Sequence, residues 1–240
     1  MQLTTKRIVA KRRKRRLPRL PVHSDIQKQI LMDVHELRVR DPELIREFIR
    51  ERQQLGVDQH DEVWEGVYVV PPLPTNPHQN IVQWLSNVLF NVINLENRGS
   101  VFPGANVSDR RDGWSHSFRA PDIVAVLNGS TAEDCGTHWF GGPDFLVEVR
   151  SGKPDVVEEK LPFYARIGVR ELLVVDRDSR EMTLYRSDGN TMRPVDLSTI
   201  AGKKWLVSAV LPLAIKRTVT RRKVQTEVIR TDGQPSRWLF

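Results

Sequence analysis

Cysteine is almost missing from this chain: Cys135 stands alone among 240 residues. One cysteine excludes an internal disulfide framework and fits a reducing compartment. Long apolar runs are missing too, none approaching the roughly 18 residues that a membrane span requires. Acids are absent from the first twenty residues, and so is the apolar segment that marks a secretory signal. The expectation is a cytoplasmic protein.

What fills that acid-free start is positive charge. Nine of the 37 Lys and Arg residues fall there, and without them 28 basic residues face 30 acidic ones, so a formal charge of +7 becomes a balance near −2. Basicity therefore belongs to an arm. Within it Lys11, Arg12, Arg13, Lys14, Arg15 and Arg16 form a block of like charge that cannot collapse on itself. Such a block can neutralise phosphates on a nucleic acid, with affinity that falls as salt rises; a solvated tail has the same composition. The remaining length is enough for one domain with a real core.

One short stretch organises that domain. Asp144-Phe145-Leu146-Val147-Glu148-Val149-Arg150 reads as a buried strand with a carboxylate set in it, which is costly unless the carboxylate is paired or binds a cation. Alternation puts Asp144, Leu146, Glu148 and Arg150 on one face. Asp144 lies about 13 Å from Glu148 along an extended strand, too far to share an ion. A second strand, Ile123 to Leu127, has Asp122 at its start, and neighbouring strands lie about 4.8 Å apart. In the right register Asp122 and Glu148 converge. Glu148 can equally pair with Arg150 or Arg166, and Asp122 can serve only to hydrogen-bond a turn.

The other elements follow from caps and periodicity. Ser24 with Gln27 makes a capping-box pattern ahead of Ile26, Ile30, Leu31, Val34 and Leu37, and Asp41-Pro42 opens a second helix that Gly56 ends. These two are expected to form a helical extension packed on the domain or on a second subunit, so a homodimer is open. Val63 to Val70 reads as a strand, stopped by Pro71, Pro72 and Pro74. Asn76 and Pro77 open a helix whose apolar face is Ile81, Leu85, Val88, Leu89, Val92 and Ile93. Strands over Val101–Val107, Glu171–Asp176, Met182–Arg186 and Trp205–Val210, with a helix around Tyr164, complete an α/β pattern with a mixed β-sheet.

Several of these residues also resemble a known family. Glu62 with Glu65-Gly66, Pro72 and His78, then Pro121-Asp122, Phe145 to Val149 with Ser151, Glu159-Lys160-Leu161, Tyr164-Ala165-Arg166, Gly168-Val169, Leu173 to Asp176 and Ser208 to Pro212 are similar to the Uma2 endonuclease family. The resemblance covers residues 58–215 and implies a restriction-endonuclease-like core of the PD-(D/E)XK kind. Together with the arm and the helical extension read from charge and caps, this gives a division into a basic arm (1–23), a helical extension (24–57), the nuclease domain (58–215) and a C-terminal tail (216–240). It further implies Mg²⁺ or Mn²⁺ as cofactor and DNA as substrate.

Cutting a phosphodiester calls for a hard cation on oxygen ligands and a cationic side chain near the phosphate. In the superfamily that side chain is a lysine two residues after the strand acid, where this chain has Arg150. Arginine stays protonated and cannot act as a base. The Uma2 pattern instead carries the lysine on the following helix, which points to Lys160. The resemblance thus assigns Asp122 and Glu148 as metal ligands, Lys160 as the catalytic amine and Glu62 as a further metal-shell acid, with Arg150 and His78 as additional candidates. Gly152 stands in place of a customary proline. Pro162 either breaks the helix behind Lys160 or starts it there, leaving Lys160 just outside. Cys135 and His138 are closely spaced, but no second pair completes a structural zinc site.

Overall fold

The computed structural model describes residues 31–33, 36–150, 155–220 and 223–240. The basic block Lys11–Arg16 lies outside the described residues. Strands β1 (Leu31–Asp33) and β2 (Glu36–Val39) come first, followed by helix α1 (Pro42–Leu55). Next are β3 (Glu62–Trp64), β4 (Val67–Val70), α2 (Asn76–Val92), β5 (Gly99–Pro103), β6 (Val107–Ser108), β7 (Phe118–Arg119) and β8 (Ile123–Leu127). The middle of the chain gives β9 (Glu133–Asp134), β10 (Trp139–Phe140), β11 (Phe145–Arg150), α3 (Asp155–Glu158) and α4 (Leu161–Ile167). Beyond it lie β12 (Glu171–Asp176), β13 (Met182–Asp188), β14 (Thr191–Pro194), β15 (Ser198–Ile200) and β16 (Lys203–Val207). The last three strands are β17 (Leu213–Thr220), β18 (Lys223–Arg230) and β19 (Arg237–Leu239). The result is a mixed α/β protein dominated by sheet.

Three sheets divide the strands. A six-stranded sheet, in the order β14-β13-β12-β11-β8-β5, carries the buried strand β11 at its centre, parallel to β12 and antiparallel to β8. Its alternation works as the sequence predicts. Phe145, Val147 and Val149 pack with Ile81, Leu85, Val88 and Leu89 of α2, whereas Leu146 packs with Phe163 and Tyr164 of α4. Each such large apolar side chain contributes roughly 1.5–3 kcal/mol on burial, so the strand is clamped from both faces.

An eight-stranded sheet, β1-β2-β4-β3-β7-β6-β10-β9, lies on the α4 side, and a five-stranded sheet, β15-β16-β17-β18-β19, on the α2 side. The stretch 216–240, expected to be a tail, instead supplies most of β17 and all of β18 and β19, and Val228 and Phe240 join the main core. Among the described residues no helix is long and apolar enough to cross a membrane.

The N-terminal extension departs from expectation. Its second helix forms as read: Asp41 accepts hydrogen bonds from the amides of Glu43 and Leu44, and Gly56 closes α1 in the left-handed region at φ 67°. The first helix, read from Ser24 to Leu37, falls mostly outside the described residues, and its described part is strand. Residues 31–33 and 36–39 are paired strands, and β2 adds to the edge of β4 through Leu37↔Val70, Arg38↔Val69 and Val39↔Tyr68. An open strand edge leaves backbone groups unpaired, and pairing Leu37, Arg38 and Val39 with β4 satisfies them. Among the described residues the predicted helical hairpin is not formed. Instead α1 sets Leu44, Ile45, Phe48 and Ile49 against Val39, Val63 and Tyr68 of the sheet.

The single strand read over Val63–Val70 is a hairpin. Glu65 and Gly66 turn it at φ 45° and 85°, the left-handed pair that a two-residue hairpin turn requires. That turn swings Glu62 to the inside. The strand read over Val101–Val107 likewise divides into β5 and β6, which belong to different sheets.

Candidate active site

The register of the central sheet meets the condition for convergence. Val147 pairs with Ile123, so the next residues along the antiparallel ladder are Glu148 and Asp122. The amide of Val149 donates to Asp122 Oδ2 at 2.7 Å, which fixes the carboxylate beside the strand. Its other oxygen, Oδ1, lies 3.3 Å from Nε2 of His78, in the first turn of α2. Burial opposes a charge on this imidazole, but the Asp122 carboxylate prevails and the His78 pKa is raised.

Glu148 is 6% exposed, and Lys160 is 7% exposed directly against it. The Lys160 ammonium donates to Glu148 Oε1 at 3.0 Å and to Glu62 Oε1 at 2.9 Å. Tyr164, one helical turn beyond Lys160, donates its hydroxyl to the same Glu148 oxygen at 2.6 Å. No donor among the described residues reaches Glu148 Oε2. Each of the two strand acids is thus anchored through one oxygen, while the second has at most the His78 imidazole beside it.

Local sequence explains how Lys160 arrives there. Helix α4 begins at Leu161, and Pro162 sits in its first turn, where a missing amide costs nothing. Lys160 occupies the position just before the helix, the second of the two arrangements that Pro162 allows. The amide of Tyr164 bonds to the Lys160 carbonyl at 3.0 Å, and Gly168 ends the helix at φ 92°. Tyr164 and Lys160 therefore move as one piece.

Charge in this pocket follows from burial. Desolvation pushes Glu148 up to about 7, with Asp122 and Glu62 adding to the rise and Lys160 and Tyr164 opposing it. For Lys160 burial acts downward, yet Glu148 and Glu62 more than offset it, so its pKa is raised and the amine stays an ammonium at neutral pH. Burial, and then Glu148, also raise Tyr164 well above the ordinary phenol range, so it remains a donor.

Glu62, on β3, has both oxygens engaged: Oε1 accepts from Lys160 and from the amide of Ala120 at 2.8 Å, and Oε2 from Nε1 of Trp64 at 2.5 Å. Its place is beside the ammonium. Arg150 turns away from Glu148 and pairs with Glu158 at 3.3 Å and Asp176 at 3.4 Å. Asp144 caps the far end of the strand, accepting from the amide of Leu127 and pairing with Arg170. His138 binds the Arg110 carbonyl at 2.9 Å, and Cys135 is a free thiol.

Three neighbours were not read as functional from sequence. Tyr164 stands in a matching motif, but its hydrogen bond depends on where the helix starts. Trp64 carries the indole that holds Glu62. Arg119, 1% exposed, donates to the Val63 carbonyl at 2.9 Å and lies over the Trp64 and Phe163 rings at 4.9 and 4.2 Å. Its signal, an arginine in an apolar strand ahead of Pro121-Asp122, resembles that of any surface arginine.

Among the described residues no three His, Cys, Asp or Glu side chains converge as a preformed metal cage. Glu148 Oε2, which no described donor reaches, and Asp122 Oδ1, which has His78 beside it, are the oxygens that a hard cation keeping its waters, as Mg²⁺ does, would use.

The model of the Uma2 family, described as "Putative restriction endonuclease", matches residues 45–220. No curated protein matches. A solved structure similar to this chain is that of "a putative nuclease belonging to DUF820 from Anabaena variabilis ATCC 29413". It has 17% sequence identity and a TM-score of 0.46, over 58% of this chain and 80% of that one.

Proposed function

The chain belongs to the Uma2 family, and on that premise we propose that it is a metal-dependent nuclease that hydrolyses phosphodiester bonds in DNA. The observation that carries this reading is the disposition of the two strand acids. Asp122 and Glu148 are each pinned through one oxygen, and of the second oxygens Glu148 Oε2 has no donor among the described residues while Asp122 Oδ1 faces His78, which a cation would displace.

In this reading Asp122 and Glu148 hold Mg²⁺ or Mn²⁺, which when bound supplies positive charge at the phosphate and a more acidic water. The rest falls to the protein. Water adds to phosphorus as the bond to the leaving oxygen breaks, so negative charge grows on the phosphate oxygens. The Lys160 ammonium, 3.0 Å from Glu148 Oε1, supplies fixed positive charge to stabilise it. Since its pKa is raised, Lys160 acts by charge and by donating hydrogen bonds, not as a base. Glu62 positions that ammonium, and Tyr164 orients Glu148. His78 steadies Asp122, while Arg150 remains tied to Glu158 and Asp176. Lys11–Arg16 adds a phosphate contact that does not depend on sequence.

Cleavage of single- and double-stranded DNA with Mg²⁺ or Mn²⁺ tests the proposal, beside Glu148→Ala and an EDTA control. Cutting by wild type that both controls abolish is the expected result. Cutting retained by folded Glu148→Ala overturns the assignment. No cutting by folded protein with either metal overturns the activity, and favours a scaffold that binds nucleic acid without cleaving it.

A further inference from the structure

Strand β2 lies ahead of residues 45–220, the part of the chain that the Uma2 family model matches. Its alternation divides it between two neighbours. Leu37 and Val39 pack with Phe48 and Ile49 of α1. Glu36 and Arg38 are left to the opposite face of the sheet.

The register says what that face meets. Arg38 pairs with Val69 of β4, and Val69 pairs with Glu62 of β3, so Arg38 and Glu62 stand in one row across three strands. Residues in one row share a face. Trp64, two residues beyond Glu62, shares it too.

The Arg38 guanidinium is engaged on three sides there. Nε donates to Glu36 Oε1 at 2.5 Å, Nη1 lies 2.6 Å from Glu159 Oε2, and the central carbon lies over the Trp64 ring, 4.8 Å from its centroid. Two of these partners lead to Lys160. Glu159 immediately precedes it in the chain. Trp64 donates its indole N–H to Glu62, which accepts from the Lys160 ammonium at 2.9 Å, and that ammonium lies 5.9 Å from the centre of the same ring. Glu36 is within reach of the pocket's field: burial raises its pKa, with Arg38 and then Lys160 opposing the rise. The backbone beside Lys160 and the acid that receives its ammonium are thus both tied to one residue of β2.

We propose that Arg38 is a positioning residue for Lys160, and that β2 is a strap by which a segment outside the matched family region sets the ammonium against Glu148. What Lys160 does rests on the nuclease reading, whereas where Lys160 is held does not. An arginine that only covered the Trp64 ring at a sheet edge would stabilise the fold and leave Lys160 where it is. The pair with Glu159 separates the two roles. Its side chains are 27% and 45% exposed, and a pair this open contributes little to stability. Glu159→Gln therefore removes one tie on Lys160 with the fold preserved.

Wild type, Arg38→Ala, Arg38→Lys, Glu159→Gln and the Arg38→Ala/Glu159→Gln double variant are compared in two assays, alongside thermal melts. The first needs no cleavage. In EDTA each protein is treated briefly with acetic anhydride, and acetylation of Lys160 is followed by mass spectrometry, with the exposed Lys203 and Lys204 as internal references. Acetylation of Lys160 is expected to rise about tenfold in Arg38→Ala and Glu159→Gln, no further in the double variant and less in Arg38→Lys, with the references unchanged. The second assay is DNA cleavage with Mg²⁺, in which kcat is expected to fall by about tenfold or more while KM and its salt dependence hold. Unchanged acetylation of Lys160 in Arg38→Ala and Glu159→Gln overturns the proposal. A Glu159→Gln melt that falls in step with the acetylation makes the contact structural and also overturns it. So does a wild type that cuts with variants whose kcat is unchanged, or a loss confined to KM, which would make Arg38 a DNA contact. Raised acetylation in the variants of a wild type that cuts nothing leaves the strap standing and overturns the nuclease reading.

Discussion

The ammonium of Lys160 lies 3.0 Å from Glu148 Oε1, although the two residues come from a helix start and a central strand twelve positions apart. Both are almost fully buried. The contact joins a buried carboxylate to a buried ammonium, and breaking it leaves the remaining charge stranded.

Lys160→Met is therefore expected to destabilise the metal-free protein by about 3–5 kcal/mol, because Glu62 and Glu148 would face each other uncompensated. Urea denaturation in EDTA at alkaline pH measures it. A loss within error of zero would mean that the ion pair is not formed in solution.

Removing the phenol hydroxyl acts on Glu148 by a gentler route. Tyr164→Phe keeps the packing against Leu146 and Phe163 but deletes a donor that favours the carboxylate form. The Glu148 pKa should rise further, and the acidic limb of the cleavage profile should move to higher pH. A hydrogen bond to a charged group is typically worth about 1.5–3 kcal/mol, so the shift should be well resolved. An unmoved limb with a normal fold would remove Tyr164 from the site.

Stability should also depend on pH through Glu148 itself. Its pKa is raised from 4.5 to about 7, so the folded protein holds this proton more tightly than the unfolded chain. The stabilising contribution is complete below about 4.5 and is lost as pH rises through about 7. It is on the order of 3 kcal/mol, and Glu148→Gln should flatten this part of the curve. Thermal melts of both proteins in EDTA between these pH values check the sign.

Gly142 offers a prediction away from the charges. A Cβ there would lie 2.1 Å from the Gly168 carbonyl carbon and 2.2 Å from the Val169 nitrogen, both of them backbone. Gly142→Ala must push the end of α4 outward, at a cost of about 3 kcal/mol or more, and Lys160 moves with that helix. Loss of stability without loss of cutting would show that the helix and the site are less tightly coupled.

Sequence carried the site further than it carried the periphery. Glu148 and Asp122 were legible because a carboxylate in an apolar strand is unusual and strand spacing says which partners it can reach. The α2 face was legible because its period is unbroken. The strands of residues 31–39 were not, since their pairing is with β4, a partner that no local pattern names. The position of Lys160 depended on which residue begins α4, and Pro162 permits two answers. For residues 216–240, charge concealed an alternation whose inner half is apolar and whose outer half is free.

Glu62 belongs to the eight-stranded sheet and Glu148 to the six-stranded one, so the Lys160 ammonium is also a rivet between two plates. Any ligand that draws Glu148 toward itself competes with that rivet. One buried ammonium thus holds two sheets together, so the pocket and the seam between the sheets stand or fall with the same side chain.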